Sequence, residues 1–90
     1  MGIENHMTVS AARDILENYC NLKGLSFEKL LRYSPYKTNR EWIWVKPYEG
    51  PLIDENGCIM DLQTMPTPII SVDTTLLVHE WEEGIDLIKP

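Results

Sequence analysis

Apolar residues recur along the first quarter of the chain at three- and four-residue steps: Val9, Ala12, Ile15, Leu16, Tyr19 and Leu22, with Arg13, Asp14, Glu17, Asn18 and Asn21 largely on the other face. That period is the signature of an amphipathic helix. Thr8 is a suitable N-cap and Gly24 a natural terminator, so the pattern predicts a helix over about Val9–Lys23. A shorter helix follows, capped by Ser26, with Phe27, Leu30 and Leu31 on its apolar side and Leu25 meeting Leu30 as a hydrophobic staple. It should end near Tyr33, because Ser34-Pro35 forces extended backbone.

The period then changes. Glu41-Trp42-Ile43-Trp44-Val45-Lys46 is aromatic and β-branched, which predicts a strand with Trp42 and Trp44 on one face and Ile43 and Val45 on the other. Two apolar faces imply cover on both sides, or one face kept for a partner. Leu52–Glu55 and Cys58–Asp61 flank Asn56-Gly57, a dipeptide suited to a tight hairpin turn. Ile69–Val72 reads as a further strand. Asp73-Thr74-Thr75 turns it into Leu76–Trp81, for which a strand is preferred over a short Thr74-capped helix. Gly84 breaks the chain before a last short strand, Ile85–Ile88. The expected fold class is therefore α+β, one long N-terminal helix and a short second helix packed on a small, mainly antiparallel sheet. Residues 1–7 read as a disordered leader or an expression remnant, and 8–90 as a single α+β domain.

Composition narrows the function classes. The chain has 90 residues, 43% hydrophobic and 24% charged. A chain of this size buries only roughly 60% of its unfolded surface, which leaves little room for a deep pocket. No run approaches the roughly 18 apolar residues of a membrane span. No apolar core follows the start as in a secretory signal, so the expected compartment is the cytoplasm. Cys20 and Cys58 match no zinc or redox spacing. Free thiols are preferred over a disulfide between them in a reducing compartment.

Candidate chemistry is sparse. His79, Glu80, Glu82, Glu83 and Asp86 are donor types for a hard cation, but the alternating donors and central glycine of a calcium loop are missing. Asp54-Glu55-Asn56-Gly57 reads as a solvated turn. A Cys58–His79 pair lacks the electropositive setting that activates a thiol. No serine lies in a nucleophile elbow, and the five glycines form no phosphate cradle. Neither enzyme activity, a cofactor nor a metal is expected. Lys29, Arg32, Lys37, Arg40 and Lys46 alternate with Tyr33, Tyr36, Trp42, Trp44 and Tyr48, a pattern that can stack single-stranded nucleic acid. Core tryptophans with a solvated rim account for it more simply.

Charge is more informative when divided. The net charge of −6 separates into −1 over residues 1–23, +2 over 24–50 and −7 over 51–90. With a pI near 4.7, a dedicated nucleic-acid binder is not expected. The acidic, β-rich half is suited to steering a basic protein partner. The expected contact residues are Asp54, Glu55, Glu80, Glu82, Glu83 and Asp86, with Trp42, Trp44 or Trp81 as anchors where they are exposed. Membrane association is not expected. A homodimer is compatible with the small core and second apolar face, and a small-ligand or catalytic site at that interface is the alternative function.

The helix Val9–Leu22, the Trp-bearing strand Glu41–Val45 and the segment Pro68-Ile69-Ile70-Ser71-Val72-Asp73 together resemble small bacterial immunity proteins of polymorphic toxin systems, of the immunity protein 35 type. The resemblance implies a compact α+β protein that binds and neutralises a cognate toxin without catalysis of its own.

Overall fold

In a computed structural model, residues 5–46 and 66–90 are described. Helix α1 (Val9–Lys23) begins where the Thr8 side chain accepts from the Ala11 amide. It ends at Gly24, whose φ of 72° is the left-handed conformation glycine adopts at little cost. Ala12, Leu16 and Cys20, four residues apart, form its fully buried stripe. Helix α2 (Phe27–Leu30) is a single turn capped by Ser26 Oγ, which accepts from the Lys29 amide at 3.2 Å.

Four strands follow, β1 (Ser34–Lys37), β2 (Glu41–Lys46), β3 (Thr67–Asp73) and β4 (Val78–Glu80), joined in that order as an antiparallel sheet. The α+β class is thus as the periodicity indicated. Directly opposed residues share a face of an antiparallel sheet. Trp42 with Val72 and Val78, and Trp44 with Ile70, therefore lie on the inner face, in a core with Leu16, Cys20 and Leu30. Tyr36 with Ile43, and Val45 with Pro68, lie on the outer face.

Two expectations are corrected. Ser34–Lys37 is a strand rather than only an extended exit from α2. All four residues are exposed, so no alternation of burial marks it, and as an edge strand it tolerates Pro35, which has no amide hydrogen to donate. The Thr38 hydroxyl closes the β1–β2 turn by accepting from the Arg40 and Glu41 amides at 3.2 and 3.0 Å. The last segment, Ile85–Ile88, is a 3-10 helix rather than a strand. Trp81 O accepts from both Gly84 N and Ile85 N, curling the chain away from the β4 edge. The three-residue spacing of Ile85 and Ile88 then puts both side chains on one buried side. Residues 5–7 pack against the β1–β2 turn. Asn5 is buried, its side-chain amide donates to the carbonyls of Thr38 and Glu41, and its Oδ1 accepts from the Met7 amide.

The segment Leu76–Trp81 contains a strand as preferred, but only over Val78–Glu80, with Leu76 and Leu77 in the preceding turn. The register of β2 on β3 shifts between Trp44 and Val45, so Ile69 is the extra residue of a bulge. Ile69 is fully buried, and the close approach of the chain at Gly84 is what encloses it. A Cβ at position 84 would lie 2.3 Å from Pro68 O and 2.9 Å from Ile69 Cγ1. The predicted hairpin about Asn56-Gly57 lies outside the described residues.

Candidate functional site

The acidic residues expected to meet a partner are divided by the end of the sheet. Asp54 and Glu55 lie outside the described residues. Glu80 is opposed to Ile70, which places it on the inner face, where its carboxylate accepts from Tyr19 Oη of α1. Burial, with the hydrogen bond and negative charge of Glu80 added, pushes the Tyr19 hydroxyl up to about 12. Burial, with a smaller contribution from the same carboxylate, also raises the Cys20 thiol, so Cys20 is a protonated core side chain. Glu80 thus joins helix to sheet. Asp86 is bound to Lys89 Nζ at 2.8 Å, which neutralises its charge locally and raises the lysine. Glu82 and Glu83 are exposed in the turn after Trp81.

The three tryptophans serve different ends. Trp44 is 2% exposed and belongs to the core, so it presents no surface to a partner. Trp42 is half-buried on the same inner face, its indole N–H donating to Met7 O at 2.8 Å and Lys37 Nζ lying 5.8 Å from its ring centroid. Trp81 alone of the three lies on the outer side. Its indole N–H donates to Ser71 Oγ at 3.0 Å, and the His79 ring meets it edge-on, centroids 4.7 Å apart. These contacts fix the indole while leaving it half-exposed beside Glu82 and Glu83.

Trp81 also closes one side of an apolar groove of about 420 Å³ lined by Tyr36, Ile43, Val45, Pro66, Pro68 and itself. A second, polar cleft of about 380 Å³ is formed at the β1–β2 turn by Asn5, His6, Lys37, Thr38 and Asn39. The groove is where the second apolar face of β2 emerges. Tyr36 enters the sequence reading only through the basic–aromatic middle segment, and Ser71 only as part of a strand. Tyr36 is in the unmarked strand β1, and only the Trp81 contact distinguishes Ser71 from any other small residue in a strand.

Chemically, the groove offers apolar contact with the Trp81 indole and an acidic flank. Cys58, the proposed partner of His79, lies outside the described residues, and His79 packs on an indole edge. Among the described residues no group of three His, Cys, Asp or Glu side chains is gathered as metal ligands would be, and no helix is long and apolar enough to cross a membrane. Of the aromatic members of the basic middle segment, Trp42 and Trp44 face inward and Tyr36 faces outward. Comparison of the chain with protein-family models, curated proteins and solved structures finds no match.

Proposed function

We propose that this chain is a non-enzymatic protein-binding domain, immunity-like in kind, that docks a basic partner where Trp81 lies beside Glu82 and Glu83. The observation that carries the reading is the state of Trp81. An indole whose N–H is already satisfied by Ser71 and whose ring is held by His79 loses little freedom on binding. Aromatic side chains of this kind dominate interface energies, while the surrounding charge sets encounter rate and orientation. The division of the acidic residues sharpens the proposal. Glu80 is engaged by Tyr19 and Asp86 by Lys89, so among the described residues Glu82 and Glu83 are the carboxylates assigned to steering. The resemblance of the helix Val9–Leu22, the strand Glu41–Val45 and the segment Pro68–Asp73 to immunity proteins supports the same class.

The test is co-purification from the native host, followed by titration calorimetry of the identified partner at low and high salt. Trp81→Ala should weaken binding by about 30-fold or more, the loss of a hot-spot residue. Glu82→Lys with Glu83→Lys should slow association and remove most of the salt dependence. Affinity indifferent to both changes would exclude this surface.

A further inference from the structure

The strand register sorts charge by face as well as apolar side chains. Lys37 is opposed to Trp42, and Lys46 stands two residues past Trp44, so both strand lysines take inner-face positions. Glu41 and Asp73 are opposed to each other and take outer-face positions. On that face β1 brings Ser34 and Tyr36, which carry no charge at neutral pH. β4 brings His79, opposed to Ser71, while its neighbour Glu80 points to the inner face and is bound by Tyr19. Among the described strand residues, His79 is therefore the one base on a face whose other charges are carboxylates.

That base is set against the residue on which docking turns. His79 is exposed, and its ring centroid lies 4.7 Å from that of Trp81, with the rings at 86°. The Trp81 indole N–H is held by Ser71, the residue opposed to His79, and Glu82 and Glu83 follow at once and are exposed. Imidazole is the side chain that gains a proton between about pH 8 and about pH 5. We propose, building on the docking of a basic partner beside Trp81, that His79 is a proton-operated control on this surface, which attracts that partner when the imidazole is neutral and loses the attraction when it is protonated. The sign follows from charge alone. A proton on His79 puts a positive charge against the indole and offsets the nearby carboxylates, so encounter with a basic surface slows. The other charges of this face do not reverse it. Asp73 is held below the usual carboxylate range by hydrogen bonds from Thr75 and Leu77 and stays ionised. Arg40 and Glu41 stand at the β1–β2 turn, beside Asp73 and Thr74, whereas Trp81 is at the opposite end of the sheet, its amide donating to Ile69 O. Asp86 and Lys89 of the chain beyond are paired with each other.

Collisional quenching of tryptophan fluorescence by caesium and by iodide reads the charge around Trp81 in the full chain, with no partner present. Between about pH 8 and about pH 5.5 the ratio of caesium to iodide quenching should fall about two-fold. Trp81→Phe should remove this response. His79→Gln should hold the ratio at its high-pH value throughout, and His79→Lys at its low-pH value. His6→Gln, at the β1–β2 turn, should behave as wild type. The partner recovered by co-purification should associate several-fold faster at the higher pH, and His79→Gln should flatten that difference. A pH response of the quenching ratio that is the same in His79→Gln as in wild type overturns the inference. So does a partner whose affinity depends on Trp81 but whose pH profile His79→Gln leaves unchanged. Affinity indifferent to Trp81→Ala would instead overturn the docking of the partner at this surface, whatever the quenching shows.

Discussion

The two faces of the sheet are built from similar residues and have different fates. Trp42, Trp44, Ile70 and Val72 face the helices, and three of the four are buried. Tyr36, Ile43, Val45, Pro68 and Trp81 face outward around an open groove, and none of them is fully buried. The same strand β2 contributes an apolar pair to each face. Apolar character therefore does not distinguish a core residue from an interaction residue in this chain. What distinguishes them, among the described residues, is whether a helix is packed above. The same division holds for charge, since Glu80 on the inner face is engaged by Tyr19, while Glu82 and Glu83, past the end of β4, are exposed.

The sharpest way to break this comparison is to truncate both faces of β2. Trp44→Ala should cost about 3–5 kcal/mol of stability by denaturant unfolding, whereas Ile43→Ala, one residue away on the open face, should cost less than about half of that. Equal costs would mean that the outer face is as much core as the inner one. Gly84→Ala should follow, at about 1–3 kcal/mol, because the added methyl meets the Pro68 carbonyl oxygen rather than a movable side chain.

Tyr19→Phe removes the helix-to-sheet hydrogen bond and should cost about 1 kcal/mol at neutral pH. The same residue predicts a pH dependence. Its hydroxyl is raised from 10.0 to about 12, so in that window the unfolded chain has lost a proton that the folded chain retains. This contribution to stability is complete below pH 10 and is lost as the pH rises towards 12; the phenylalanine variant should show a flatter alkaline limb in thermal unfolding. Cys20, buried and protonated, should react with a thiol reagent only on unfolding when measured in a Cys58→Ser background. The smallest effect belongs to the exposed flank. Glu82→Lys with Glu83→Lys should shift stability by no more than about 0.5 kcal/mol for each substitution. A large loss there would make these carboxylates structural, as Glu80 is.

The elements with strong local signals were legible from the chain alone. Helix α1 is written in its period and its two caps, and β2 in its β-branched and aromatic run. β1 was not legible, since an exposed edge strand needs no apolar alternation and is defined by its neighbour's hydrogen bonds. Ile85–Ile88 has the composition of a strand, and only the close packing at Gly84 and the carbonyl of Trp81 turn it into a 3-10 helix. Of the candidate site, the acidity beside Trp81 was legible. The engagement of Glu80 and Asp86 was not, because their partners are a helix residue far away in sequence and the lysine three positions on.

By itself, the sequence determined the α+β class, the limits of the long helix, the two-faced character of β2 and the concentration of negative charge in the second half. Those properties follow from local backbone preference, side-chain alternation and composition, which act over a few residues at a time. The tertiary structure decided which tryptophan is core and which is open, and which carboxylates are engaged. Such choices depend on which elements cover one another, and cover is a property of the packed chain rather than of any segment within it.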